Sequence, residues 1–361
     1  MKGLVLVGGL GTQLRPLTLS KAKPLIEFGN KPQLLHLLEI LKNAGVDEVV
    51  LAINYRPEVM EGFMLQHAGL GIKLTLSHED QPLGTAGPIA QAKDLLDDGE
   101  PFFVMNCDVA CEFNLREMVH FHNAHGKVGT IMVRRVDEPA KYGKSVVLTH
   151  ETGLIDKFVE HGRTFAGNRI NAGVYLFSPA IFDRIEQRPT SMEREVLPAL
   201  AAEEQLYAMP LNGYWMNIKT LPSFLAGTAL YLEYLRENRP AELADASSDC
   251  YQGNVVVDPS VEVGDGCLIG PDVTIGPGCV IEDGVRLARC ALLEGVKVGA
   301  HACVQDSVLG WHSTVGAWTR VEGVSVLGED VHLSSGISVN GAKILPHKHL
   351  KEDVNEPQII M

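Results

Sequence analysis

The residues in this sequence best suited to chemistry are ones that handle anionic ligands. Gly8, Gly9 and Gly11, with Thr12 beside them, follow the apolar run 4–7 directly. Glycines in such a turn can adopt φ > 0 and let backbone N–H groups approach a phosphate. Arg15, Lys21 and Lys23 follow and supply cations for the same ligand. A second glycine-bearing turn, 81–88, contains Gly84 and Thr85, with Thr85 placed to cap the helix after it. Asp108 stands just past the apolar run 101–106. A carboxylate at the carboxyl edge of a parallel sheet faces the ligand crevice. The glycine spacing matches neither the dinucleotide-binding fingerprint nor a Walker A loop.

A sheet must hold these positions. Helical spacing over 34–43 ends at Gly45, and 49–53 reads as a strand. Helix 57–67, strand 72–77, helix 89–96 and strand 101–106 continue the alternation, and strand 214–218 and helix 221–235 close it. The pattern predicts an α/β domain with a mostly parallel sheet and helices on both faces. The polar stretch 237–253, with Pro240, reads as a linker. Beyond it, Val257, Val263, Ile269, Ile275, Ile281, Leu287 and Leu293 stand six apart. After a slip, Leu309, Val315, Val321, Leu327, Leu333, Val339 and Leu345 do the same. Period six suits neither helix nor hairpin. It predicts a parallel β-helix of hexapeptide repeats, its aliphatic residues stacked inside a triangular coil. The expected division is 1–236, linker 237–253 and solenoid 254–361.

The string from Gly8 to Pro24 resembles the signature of sugar-nucleotide pyrophosphorylases, GGxGTRLxPLT followed by PKP, with Gln13 for the arginine and Ala22 for the first proline. The resemblance covers essentially the whole chain, through Leu345-Pro346-His347-Lys348 to the final Gln358-Ile359-Ile360-Met361. Within that family the chain is similar to GDP-mannose pyrophosphorylases, the mannose-1-phosphate guanylyltransferases, and more to the catalytic β-type than to the regulatory α-type. The resemblance implies a Rossmann-like nucleotidyltransferase domain followed by a left-handed β-helix. It implies GTP and mannose 1-phosphate as substrates, GDP-mannose and pyrophosphate as products, and Mg²⁺ as cofactor. It implies that Lys23 and Arg15 hold phosphates, that Asp108 holds the metal, and that Gly8, Gly9, Gly11 and Thr12 cradle the nucleotide. Gly84 and Thr85 then belong to the nucleobase loop, and Gly143, Glu160 and Asn171 to the sugar site.

Three positions depart from that pattern. Gln13 replaces the arginine that holds the triphosphate. His161 replaces the lysine of Glu-Lys-Pro, and Gly162 its proline. Asn217 replaces the second metal-binding aspartate, with Lys219 where the family has glycine. Both substrates are anions, so the chemistry is mostly positioning and charge neutralisation. Loss of one such contact costs about 2.7–4 kcal/mol of transition-state stabilisation, and losses within one site do not simply add. The expectation is a low-activity or non-catalytic subunit that binds GTP or GDP-mannose and modulates an active partner, with Mg²⁺ binding weakened at Asn217. The alternative is an active guanylyltransferase. A third reading, a solenoid acyltransferase using His301, His312 or His332, is disfavoured by the complete N-terminal half.

Composition narrows the classes further. A formal net charge of −14 argues against nucleic-acid partners and anionic membrane surfaces. No apolar stretch is long enough to span a bilayer and the N-terminus enters a strand directly, so a cytoplasmic location without a signal peptide is expected. The seven cysteines form no Cys-x-x-Cys pair and read as small buried hydrophobes in a reducing compartment, with no disulfide and no zinc site expected. Hexapeptide solenoids commonly associate, so a homo-oligomer, or a hetero-oligomer with a related subunit, is expected.

Overall fold

The computed structural model describes the chain apart from residues 55, 138–145, 150, 160–167 and 246. By its contacts the chain forms two units, Met1–Gly9 with Leu34–Trp215, and Leu10–Gln33 with Met216–Met361. This division does not follow sequence order. Segment 10–33 leaves the N-terminal half and groups with the solenoid, and the crossing falls inside the first glycine turn.

The first unit is built on a nine-stranded sheet. Its strands are β1 (Lys2–Leu6), β2 (Glu48–Ile53), β3 (Lys73–His78), β4 (Phe102–Asn106), β5 (Gly129–Arg135), β6 (Val146–Thr149), β7 (Ile155–Val159), β8 (Arg169–Phe177) and β9 (Leu206–Pro210). β1 pairs in parallel with β2 and β4, and β2 with β3. Leu4 and Val5 have no exposed surface, as a strand covered on both faces requires. Past β4 the expected parallel order gives way. β8 runs antiparallel to β4 and β5, β9 is parallel to β5, and β6 and β7 form an antiparallel edge. Leu6 lies opposite both Ala52 and Asn106. The segments leaving β1, β2 and β4 therefore emerge along one edge, the placement that residues 8–9, 54 and 107–108 need.

The helices Gln33–Asn43 and Pro57–Gln66 form close to their expected bounds. The helix expected over 89–96 is instead two short ones, Gly87–Gln91 and Lys93–Leu96, which meet at Ala92, the C-cap of the first and the N-cap of the second.

In the second unit, three all-parallel sheets of seven, six and five strands wind as a β-helix. The register corrects two members of the sequence repeat. Ile275 stacks on Leu292, not Leu293, and Leu327 stacks on Ile344, not Leu345. The lost residue is absorbed at tightened corners. Arg289 and Asp306 sit there at φ 46° and 48°, joined by a bidentate ion pair at 2.6 and 2.9 Å. The two ends of the stretch expected to be a linker lie in the neighbouring elements. The closing helix runs Leu221–Asn238, and Tyr251 already bridges to Ile269 in the first coil. Burial raises the thiol pKa values of Cys267, Cys279 and Cys290, which keeps them protonated and inert among the core aliphatics. His301 and His312 are exposed turn residues and His332 is an exposed strand residue; the His301 ring lies tilted against Trp318, and His332 is bonded to Asp330. No helix among the described residues is long and apolar enough to cross a membrane.

Candidate functional site

The first half of the glycine turn belongs to the sheet unit. Gly8 and Gly9 are exposed past the end of β1. Gly9, at φ 115°, donates its N–H to Asn54 Oδ1 at 3.4 Å, and a Cβ on Gly8 would stand 3.1 Å from Asn54 Nδ2. Asn54 thus props the turn from the neighbouring strand. Sequence reasoning missed it, although a lone amide directly after the buried run of β2 was the available signal.

Gly84 adopts φ 76°, and a Cβ there would sit 2.5 Å from the Thr190 carbonyl oxygen. That carbonyl accepts from Thr85 N–H at 3.1 Å and from Ala86 N–H at 3.0 Å. These two donors are therefore committed inside the protein. Thr85 does not cap the next helix, whose N-cap is Ala86. Its hydroxyl instead donates to Glu193 Oε2 and accepts from Met192 N–H, both at 2.8 Å. The second turn is thereby riveted to 190–193, a long-range partnership that the local sequence does not signal.

Asp108 lies in the turn after β4, half-buried, beside Cys107, whose N–H donates to the Leu6 carbonyl at 3.3 Å. Asn171 is buried in β8. Its Nδ2 donates to Tyr175 Oη at 2.8 Å and its Oδ1 accepts from Gly173 N–H at 2.9 Å. This amide holds the bulge between Asn171 and Tyr175, where Gly173 turns at φ 82°. Gly143, Glu160 and His161 lie outside the described residues.

The cationic half of the turn belongs to the second unit. Gly11, at φ 58°, opens the turn Thr12–Leu14. Its carbonyl accepts from Leu14 N–H and from Thr18 Oγ1, both at 2.9 Å. A Cβ on Gly11 would meet Thr18 Cγ2 at 2.8 Å and Lys23 Cβ at 3.0 Å, so glycine lets the segment fold back on Lys23. Thr12, Gln13 and Arg15 are exposed and Lys23 is half-buried.

Asn217 is in the same unit and 9 % exposed, yet its Oδ1 has no hydrogen-bond partner. An orphaned buried amide oxygen is costly, about 1–3 kcal/mol, and is the kind of atom a hard cation accepts. The segment is fixed from behind. Thr220 and Ser223 form a capping box, and a Cβ on Gly227 would come 2.6 Å from Ile218 Cδ1. Lys219 is exposed. Among the described residues no three His, Cys, Asp or Glu side chains cluster as a ready-made metal set. A metal at Asp108 would have to complete its coordination with phosphate oxygens and water, as Mg²⁺ commonly does.

The chain matches the family described as Nucleotidyl transferase over residues 2–234 and that described as GMPPB C-terminal domain over 251–360. It is 54% identical over 364 residues to Mannose-1-phosphate guanylyltransferase 1 of Arabidopsis thaliana, covering 100% of both chains. It is 52% identical to Mannose-1-phosphate guanylyltransferase catalytic subunit beta of Danio rerio over 363 residues, again covering 100% of both. Among solved structures, HddC from Yersinia pseudotuberculosis aligns with a TM-score of 0.54 at 24% identity, over 63% of this chain and 97% of that one.

Proposed function

The chain belongs to the mannose-1-phosphate guanylyltransferase family, and we propose that it is a sugar-nucleotide-binding member whose catalysis is strongly weakened. The observation that carries this reading is Asn217, a buried neutral amide with an unpartnered oxygen where the family pattern has a carboxylate. Gln13, neutral and exposed in the cationic segment, supports it.

In the family reaction a sugar phosphate oxygen attacks the α-phosphorus of GTP and pyrophosphate leaves. The residues of this chain then act as follows. Lys23 and Arg15 neutralise phosphate oxygens, and backbone N–H groups of the glycine turn add donors. Asp108 is the carboxylate that this chain would offer Mg²⁺, which when bound neutralises phosphate charge. Gln13 donates a hydrogen bond without charge, so less of the charge developing on pyrophosphate is compensated. Asn217 offers a dipole in place of an anion, which lowers metal affinity. The chain binds GTP and GDP-mannose and turns over slowly, and its role is to modulate an active partner. The reading includes association, with itself or with a related subunit, through the solenoid, where Trp318 is 69 % exposed.

An active guanylyltransferase is the second reading, favoured by full-length similarity to relatives named for that activity. Pyrophosphate release from GTP and mannose 1-phosphate with Mg²⁺, measured beside calorimetric binding of GDP-mannose, separates the two. Binding with turnover far below about 1 s⁻¹ supports the weakened member. Turnover at or above that rate supports the enzyme. Absence of binding contradicts both.

A further inference from the structure

Segment 10–33 carries the cationic half of the glycine turn, and its fixed points lie on the closing helix and the solenoid. Phe28 packs against Phe224 and Tyr231, with ring centroids 5.7 Å apart in each pair. Asn30 Nδ2 donates to the Ile275 carbonyl at 2.7 Å. The most specific anchor is Trp311. This solenoid indole is 2 % exposed, and its Nε1–H donates to Glu27 Oε2 at 2.9 Å. The other oxygen of Glu27 accepts from Lys21 Nζ at 2.5 Å, and that ammonium lies 4.6 Å from the centroid of the Trp311 ring. Indole edge, carboxylate and ammonium close a triangle, the third side being the cation over the ring face.

Packing of the coil does not call for this arrangement, since Trp311 sits at a turn outside the solenoid's apolar core. The triangle does something more. A lysine ammonium on its flexible stem has much rotamer freedom to lose when it is ordered. Here carboxylate and ring hold it beforehand. An ammonium has three donors, and Glu27 takes one of them. A pre-placed cation spares a polyanionic ligand the cost of ordering it.

We propose that Trp311 is a positioning residue for phosphate binding: through Glu27 and its own ring face it holds Lys21, and with it segment 11–23, ready for the polyphosphate of a nucleotide. The inference rests on the nucleotide-binding reading above. It is tested by calorimetric titration of Mg²⁺–GTP into the full chain and four variants, with thermal midpoints recorded alongside. Trp311→Phe keeps an aromatic face for the ammonium but is smaller and removes the N–H donor, and it weakens binding about tenfold, as loss of one hydrogen bond to a charged group would. Lys21→Met weakens binding by a similar factor. The double variant binds no more weakly than Lys21→Met alone, because Trp311 acts through Lys21. A purely structural role would make the two losses multiply. Glu27→Gln, at a half-buried site, keeps an acceptor for the indole but not the anion for Lys21, and also weakens binding. It decides the matter if Trp311→Phe fails to fold. Wild-type affinity in Trp311→Phe or Glu27→Gln, or multiplying losses, overturns the inference alone. A wild-type chain that binds no GTP overturns the nucleotide reading and this inference with it.

Discussion

Asn217→Asp is the perturbation with the clearest consequences. The side chain is nine-tenths buried and its Oδ1 has no partner. The substitution keeps the shape and adds a charge. Without metal, that charge is an unpaired buried carboxylate, which costs about 3–5 kcal/mol when its partner is missing. Part of the cost is relieved by protonation as the carboxyl pKa rises. About 3 kcal/mol corresponds to a fall of roughly 6–12 °C in the unfolding midpoint of a unit of about 150–250 residues. Mg²⁺ that binds only the folded variant restores stability by mass action, about 2.7 kcal/mol at a free concentration one hundred times its dissociation constant. Scanning calorimetry with and without Mg²⁺ therefore gives a large metal-dependent shift for Asn217→Asp and a small one for the wild type. A variant as stable as wild type in chelator, with no shift on adding Mg²⁺, would refute the reasoning, because it would mean that Oδ1 does not mark a cation position.

Other consequences follow from the geometry of the first unit. His125 Nδ1 accepts from Lys127 N–H, so its Nε2–H donates to Thr130 Oγ1, and the Thr130 hydroxyl is left to donate to His122 Nδ1. Both imidazoles are neutral in this chain of bonds, and burial lowers each pKa to about 4. The unfolded chain, with histidine near 6.5, takes up protons first. Stability is thus fully present above about pH 6.5 and falls as pH drops toward 4, by about 3 kcal/mol from His122 and less from the more exposed His125. Urea unfolding between pH 7.5 and 5 checks this, and a His122→Gln, His125→Gln variant flattens the profile. Gly84→Ala forces a Cβ against the Thr190 carbonyl at positive φ, which costs about 1–3 kcal/mol. It loosens the second turn, visible as a lower midpoint and weaker GDP-mannose binding. A variant unchanged in both removes Gly84 from the account.

What could be read from the sequence is what depends on local pattern. The run Leu4 to Val7 and the glycines after it announced a buried strand ending in a glycine turn. The six-residue spacing announced the solenoid. The failures have physical causes of their own. The coil closes in seventeen residues wherever a corner tightens, so Leu292 and Ile344 take the inward places that strict period six assigns to Leu293 and Leu345. The grouping of 10–33 with the solenoid rests on bonds such as Asn30 to Ile275 and Trp311 to Glu27. Neither leaves a trace in nearby sequence. Thr85 carries the side chain of a helix cap, but Glu193 and Met192 claim its hydroxyl. Asn54 stands between an apolar strand and an undistinguished loop, and its role appears only once β1 and β2 lie side by side.

We propose that loss of charge at Gln13, His161 and Asn217 weakens catalysis in this chain. The most direct measurement is steady-state pyrophosphate release from GTP and mannose 1-phosphate with Mg²⁺, for the wild type and for the Gln13→Arg, His161→Lys, Asn217→Asp triple variant. The account predicts a near-flat wild-type trace and a gain of at least about 10²–10³ in the triple variant, the worth of one restored electrostatic contact. Rapid wild-type turnover that the three substitutions leave unchanged would contradict it.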